Sequence, residues 1–347
     1  MMGYPDGFLS TANVKQINVR ANYIPADYKT SYIQTYHFTI QQQLVNDWVL
    51  DVGYVETHGV GLMILADYNQ ARPNGPTENA SLQARRPIQN FGLIQIAWGG
   101  GFLGYNALQT KLEKKFRNGF YFLNSFTWSK SIDNASGHLE ANNGDNSRAN
   151  YVDLAHERGL SGYDQPFNNT TTALYDLPFG KGHSIGSNWN NIADAFLGGW
   201  KLTAINTMNS GNPVNLSYSP SSAFSVSGSP TYRPNLIGNP MMPKDQRTYT
   251  KWFNPDTVIV PSDRSVPFGN AGRNVGRAPN FYEMDLGLHK DFNITESAGF
   301  SFRTEAFNLF NKTNFAPPNG NRSSSGFGSI TSTYPARQIQ FAMKLLW

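Results

Sequence analysis

Nine stretches of the chain alternate apolar and polar side chains with a period of two. Successive side chains of a β-strand point to opposite faces, so this pattern predicts strands with one greasy and one polar face. The first sets Tyr36, Phe38, Ile40 and Leu44 against His37, Thr39, Gln41 and Gln43. The second puts Trp48, Leu50, Val52 and Tyr54 opposite Asp51 and Gly53. The third opposes Leu108, Thr110, Leu112 and Phe116 to Gln109, Lys111, Glu113 and Lys115. Arg117-Asn118-Gly119 follows, and Asn-Gly between alternating runs predicts a tight hairpin. The fourth carries Phe120, Phe122, Phe126 and Trp128 against Ser125, Thr127 and Ser129. The fifth, with Ala173, Tyr175 and Leu177, is weaker. The sixth holds Trp200, Leu202, Ala204 and Met208. In the seventh, Tyr282, Met284, Leu286 and Leu288 oppose Glu283, Asp285 and His289. In the eighth, Phe300, Phe302, Ala306 and Phe310 oppose Ser301, Arg303 and Glu305. The ninth ends the chain: Ile339, Phe341, Met343, Leu345 and Trp347 lie on one side, Gln338, Gln340, Ala342, Lys344 and Leu346 on the other.

The connections alternate in length. Short turns join the first strand to the second, the third to the fourth and the seventh to the eighth. Long loops near 59–102, 132–166, 212–280 and 312–336 are rich in Gly, Pro, Asn and Ser. Residues 1–33 read as an irregular lead-in and 34–347 as one sheet. A compact soluble domain rarely carries several loops above about 15 residues. Outer-membrane barrels do, with short periplasmic turns and long extracellular loops. Eleven-residue strands at about 3.3 Å per residue, tilted near 45°, span about 25 Å, the height of their apolar band. Trp48, Trp128, Trp200, Phe292 and Trp347 sit near strand ends, where aromatic girdles form. The predicted class is all-β: an antiparallel up-and-down transmembrane β-barrel. Its apolar faces lie against outer-membrane lipid and its polar faces look into a lumen.

Composition fits this picture. Charged residues are 15% of the 347, aromatics 14%, with 32 glycines and 20 prolines. Mean hydropathy is −0.45, so the polarity comes from uncharged side chains, which suits sheets with one wet face. Net charge is +4, but the only dense basic run, Lys111 to Arg117, alternates with Leu112, Glu113 and Phe116. It reads as strand, which argues against nucleic-acid binding. With no cysteine, disulfides, thiolate-ligated zinc and cysteine nucleophiles are excluded. No run approaches the roughly 18 apolar residues of a membrane-spanning helix. The start shows no basic segment followed by an apolar one, so no export signal is visible.

Several runs resemble the Oar-like branch of TonB-dependent outer-membrane receptors. They are Asn46 to Gly59 (NDWVLDVGYVETHG), Tyr105 to Ala135, His156 to Asp164 (HERGLSGYD) and Leu174 to Gly182 (LYDLPFGKG). Phe268 to Glu296 (FGNAGRNVGRAPNFYEMDLGLHKDFNITE), Phe302 to Phe315 (FRTEAFNLFNKTNF) and the terminus complete the set. The resemblance implies a 22-stranded barrel filled by an N-terminal plug. It implies a TonB box coupling uptake to inner-membrane energy, and an N-terminal carboxypeptidase-regulatory-like sandwich. None of these N-terminal parts is recognisable here, so the expectation is an incomplete barrel: about nine C-terminal strands of a longer receptor. An open sheet in hydrocarbon leaves edge groups unpaired at several kcal/mol each, and single-chain bacterial barrels have even strand numbers. An odd count is expected of a piece cut within an extracellular loop. The alternating terminus, Phe341, Met343, Leu345 and Trp347, resembles the signal read by the barrel assembly machinery.

Candidate sites are sparse. Lys111, Glu113, Lys115, Glu283, Asp285, His289, Arg303 and Glu305 fall on predicted lumen positions. There they would form cross-strand ion pairs or touch the plug or a passing substrate. Phe179 to Gly186 (FGKGHSIG) loosely echoes a phosphate loop but lacks its spacing, and reads as a turn. His138 to Asn146 has oxygen ligands without EF-hand spacing and reads as an extracellular loop. The histidines are dispersed and no G-x-S-x-G elbow occurs. No cofactor, metal site or catalytic residue is expected, and the protein is not expected to be an enzyme. The expected role is wall and ligand-capturing loops for energy-coupled uptake. Expected partners are the plug and N-terminal barrel half of the same receptor, TonB through that region, and an extracellular ligand. The alternatives are a surface adhesin without transport, or a soluble β-sandwich.

Overall fold

Asn118 and Gly119 both adopt left-handed backbone, φ 52° and 75°. That pair of angles closes a two-residue hairpin whose twist matches its strands. The predicted Asn-Gly turn therefore forms, and it sets the register of one pair in a large antiparallel sheet. The coordinates are a computed structural model and describe residues 19–136, 148–227, 230–293 and 298–347. The strands are β1 (Val19–Tyr23), β2 (Tyr32–Val45), β3 (Trp48–Asp67), β4 (Phe91–Arg117), β5 (Phe120–Asp133), β6 (Gly159–Leu160), β7 (Phe167–Asp176) and β8 (Trp200–Asn209). There follow β9 (Pro213–Val214), β10 (Asn235–Leu236), β11 (Val258–Ile259), β12 (Gly276–Arg277), β13 (Phe281–Asn293), β14 (Gly299–Phe307) and β15 (Gln338–Leu346), with one helix, α1 (Asn191–Leu197).

The wall runs β15-β14-β13-β8-β7-β5-β4-β3-β2, an up-and-down meander. All nine alternating stretches supply a strand to it. Short β1 joins β4 in parallel and β6 joins the end of β5, giving an 11-stranded sheet. The sheet does not close on itself: β15 and β2 each have a free edge among the described residues.

Register assigns the faces. Phe341 pairs with Thr304, Thr304 with Leu288, and Leu288 with Leu202. Leu202 pairs with Tyr175, and Tyr175 with Phe120. The same face carries Leu50, Val52, Ile40 and Phe38 at the far side of the wall. Rings bind along it: Trp200 lies 6.2 Å from Phe302, Phe120 6.0 Å from Tyr175 and Trp48 5.8 Å from Phe122. Phe341 is 72% exposed, as a side chain meant for lipid must be. Two lysines share this face near the short turns. Lys114 Nζ donates to the carbonyls of Arg117 and Phe120. Lys290 Nζ reaches the carbonyls of Gly198 and Asp194 and lies over the rings of Trp200 and Phe292. Both carry charge out of hydrocarbon along an apolar stem. The Lys290 contact also holds the C-terminal end of α1, where a cation suits the helix dipole.

Three elements differ from the alternation. The loop expected over 59–102 narrows to 68–90, because β3 continues to Asp67 and β4 begins at Phe91. Bulges at Val60–Leu62 and Leu62–Ile64 break the period, and Gly99, Gly100 and Gly101 have no side chains to alternate. Gly101 is required there: a Cβ would lie 2.6 Å from the Leu62 carbonyl oxygen. The fifth strand is β7, and it starts earlier, through the polar run Phe167–Thr172. Leu177 falls just beyond it, its N–H donating to the Trp200 carbonyl. The eighth ends at Phe307, because Asn308 and Asn311 turn left-handed (φ 51° and 50°). Phe310 is therefore outside the strand.

Two buried hydrophobic clusters sit in the loops, beside the buried upper ends of β3 and β4 (Ile64, Leu65, Ile94 and Ile96). Val214, Leu216, Phe253, Val258 and Ala278 form one buried cluster, with Trp252 and Phe327 packed against it. Tyr218, Val226 and Tyr232 form a second, and Phe268 stacks on Tyr232 at 5.0 Å. The loops at the end of the wall away from the tight turns thus fold into a packed head.

Candidate functional site: the loop head and the lumen wall

Buried arginine–carboxylate pairs clasp this head. Arg86 Nη1 lies 2.9 Å from Asp67 Oδ2, and Ser227 Oγ donates to the same oxygen at 2.7 Å. Asp67 Oδ1 accepts the N–H groups of Asn69 and Ile94. Arg233 Nη1 lies 2.9 Å from Glu157 Oε2, and Glu157 Oε1 accepts the Asn150 N–H. Arg277 Nη2 lies 2.8 Å from Asp164 Oδ2, whose other oxygen accepts the Ser131 N–H at 2.8 Å. Arg273 contacts Asp133 at the tip of β5, and burial pushes its guanidinium down to about 10. Buried charges persist only when paired and hydrogen-bonded, and Asp67, Glu157 and Asp164 each meet that condition.

The clasp joins separate loops. Asp67 ends β3, Asp133 ends β5, Glu157 and Asp164 belong to 134–166, and Arg233, Arg273 and Arg277 come from 210–280. Arg85 adds a stitch, donating to Ser225 O at 2.7 Å, and burial lowers its pKa. Asn74 Nδ2 donates to Ala223 O. The runs HERGLSGYD and FGNAGRNVGR, which carried the resemblance, supply Glu157, Asp164, Arg273 and Arg277. No sequence signal paired them; only the fold does.

Where the head meets the polar face of the wall, Thr57, Leu103, Tyr105, Ser131, Ser161 and Tyr163 line a cleft of about 390 Å³. Lower on that face lies a second cleft of about 530 Å³, lined by Asp176, Lys201, His289, Asp291, Ser301 and Arg303. Asp176, Lys201, His289 and Arg303 stand in one cross-strand row. Among the described residues none of the four makes a direct ion pair, although Asp176 stands across from Lys201.

The other sequence-named positions divide. Lys111 Nζ binds Glu113 Oε2 at 2.8 Å and approaches Asp51 Oδ2 at 3.7 Å, an ion-pair ladder. Lys115 sits at the register break before Arg117. Glu305 accepts from Gln340 Nε2. Asp285 caps the turn after β14 by accepting the Asn308 N–H at 2.9 Å. Glu283 lies in the row of Thr207. Met343, Leu345 and Trp347 lie with Phe341 on the outer face, all more than 60% exposed. In FGKGHSIG, Gly180 and Gly182 take positive φ and Gly180 N–H bonds to the Ile185 carbonyl, which makes it a turn. The run His138–Asn146 lies outside the described residues.

The outer face carries a polar patch on β5, β7 and β8. Asn124 Nδ2 donates to Asn169 Oδ1 at 2.9 Å and to Thr171 Oγ1 at 2.8 Å. Asn206, which pairs with Thr171, donates to the Glu283 carbonyl at 3.3 Å.

An up-and-down wall with a lipid-directed aromatic face, a wet opposite face and a loop head at one end is an outer-membrane β-barrel architecture. A protein-family model described as "Outer membrane beta barrel domain" matches residues 3–340, and the chain belongs to that family; its place is the outer membrane. No curated protein matches it. Among solved structures, it is similar to the outer membrane transporter YddB from Escherichia coli, with 8% identity and TM-score 0.48, over 95% of this chain and 35% of that one. It is also similar to a mutant of the ferric enterobactin receptor from Pseudomonas aeruginosa, with 10% identity and TM-score 0.47, over 92% of this chain and 31% of that one. The chain spans about a third of the length of these structures.

Proposed function

We infer that this chain is the C-terminal wall of a TonB-dependent receptor of the Oar-like branch. Its loop head captures a ligand outside, and its polar face lines the passage inward. The observation that carries this reading is the charged row Asp176, Lys201, His289 and Arg303, which makes no direct ion pair among the described residues and faces a 530 Å³ cleft on the polar face. Charges held without direct ion pairs on a wet wall suit a partner that docks there: a plug, a passing solute, or both. The clasped head supports the same reading, because a binding surface on loops needs a rigid base. No step of chemistry is assigned to any residue; the role is binding and passage. The remaining partners in this reading are the barrel assembly machinery, through the terminal strand, and TonB, through an N-terminal plug.

The test is uptake of labelled peptides, glycans and ferric chelates by cells with and without the protein, each with and without TonB. Uptake of one class that needs both supports the reading. Cell attachment that needs the protein but not TonB, with no uptake, overturns it in favour of an adhesin.

A further inference from the structure

The outer face of β7 does not suit lipid. Between Phe167 and Tyr175 its outward residues are Asn169, Thr171 and Ala173. Neighbouring strands add Asn124 and Asn206 at the same height and Ala204 just below. Along the same row the face carries Met284 on one side and Leu112, Leu50 and, at the edge strand, Gln42 on the other. An amide in hydrocarbon costs several kcal/mol for each group left unbonded. The internal bonds use the amide nitrogens of Asn124 and Asn206. Among the described residues nothing donates to their carbonyl oxygens. Ala173 and Ala204 are small side chains paired with each other, with Phe122 beside Ala173 and Phe126 and Met208 beside Asn169. Small residues admitting close approach, with polar groups to bond across it, are how membrane segments pack on one another.

We propose that this patch, centred on Thr171, seats a second copy of the same protein about a two-fold axis normal to the membrane. The proposal rests on the reading of this face as lipid-directed. The patch chooses its occupant by its chemistry. It holds no charged side chain, so it selects no charged partner. Lipid headgroups do not reach its depth. Asn and Thr side chains both donate and accept, so the patch is complementary to itself turned through 180°, the arrangement of the commonest homo-oligomers.

The chain has no cysteine, so single cysteines report cleanly. Thr171→Cys and, on the far part of the wall, Phe341→Cys are oxidised in intact outer membranes and run on non-reducing gels. A band of twice the mass for Thr171→Cys, absent for Phe341→Cys, supports the proposal. Asn169→Leu with Asn206→Leu, which places lipid-compatible side chains in the patch, is expected to abolish the doubling while assembly persists. Native mass spectrometry of the unsubstituted protein in lipid nanodiscs guards against a misfolded variant. A monomer there, or a Thr171→Cys adduct with a different protein, overturns the proposal. Because each readout is oligomeric state, failure here is distinguishable from failure of the uptake test.

Discussion

Arg233 and Glu157 meet through a 2.9 Å ion pair in which both side chains are buried, 76 residues apart in sequence. Their contact ties 134–166 to 210–280. Glu157→Gln leaves a buried guanidinium without a counter-charge. It is expected to cost about 3–5 kcal/mol of loop-head stability. Limited proteolysis of the embedded protein should then nick 148–166 while the wall strands stay protected; unchanged protection refutes the clasp.

Depth on the outer face sets the cost of a charge. Phe341 lies four residues up β15 from Leu345, away from the end of the β13–β14 hairpin. Leu345 shares a row with Phe300 and Phe292, at the aromatic girdle. Phe341→Arg is expected to cost about 2–4 kcal/mol, and Leu345→Arg about 0–1. Gln340→Arg, on the wet face, should be tolerated. Denaturant midpoints of folding into bilayers give the ranking, and equal effects at all three positions would sink the register.

Lys290 is nearly buried and binds the carbonyls at the end of α1. Lys290→Met removes the cation from the helix terminus and is expected to loosen α1 by about 1 kcal/mol. Amide exchange over 191–199 should quicken while β13 and β14 hold. Exchange unaltered in α1 argues that the contact does nothing for the helix.

Glu78 is held down to about 2 by its Arg72 bond and the Gly75 N–H. A carboxyl depressed in the fold stabilises above its unfolded value, near 4.5, and loses that contribution as pH falls through the folded one. The 72–78 turn is therefore expected to hold its order at neutral pH and lose it between pH 4.5 and about 2. The Gly75 amide shift, followed by NMR through an acid titration, reports the loss. The pair is exposed, so high salt should weaken it.

The wall was legible because alternation is local. Ile339 to Trp347 or Trp48 to Tyr54 declare their faces within a few residues, and Asn118-Gly119 declares its turn. The reading failed where the local rule breaks. Gly99 to Gly101 carry no pattern, the bulges around Leu62 shift it, and Asn168 to Thr172 are polar on both faces of β7. The loop head was illegible for another reason. Its pairs join Asp67 to Arg86, Asp133 to Arg273, and Asp164 to Arg277, and nothing near a carboxylate in sequence names the arginine that will neutralise it. Gly, Pro, Asn and Ser marked the long loops, but composition gave no sign of the two buried hydrophobic clusters those loops hold.

Lys114 and Lys290 mark the end of the outer face near the short turns. From the level of Lys290 and Phe120 to that of Tyr282 and Trp128, the strands climb roughly 20 Å at about 3.3 Å per residue and about 40° of tilt. The hydrocarbon of an average bilayer is about 30 Å thick, and the bacterial outer membrane is thinner than that. In a thicker bilayer Lys290 and Lys114 would be drawn into hydrocarbon or the lipid would have to pinch around them. Hydrophobic mismatch alone would then sort this protein toward the thinner of the two envelopes, independently of any address carried elsewhere.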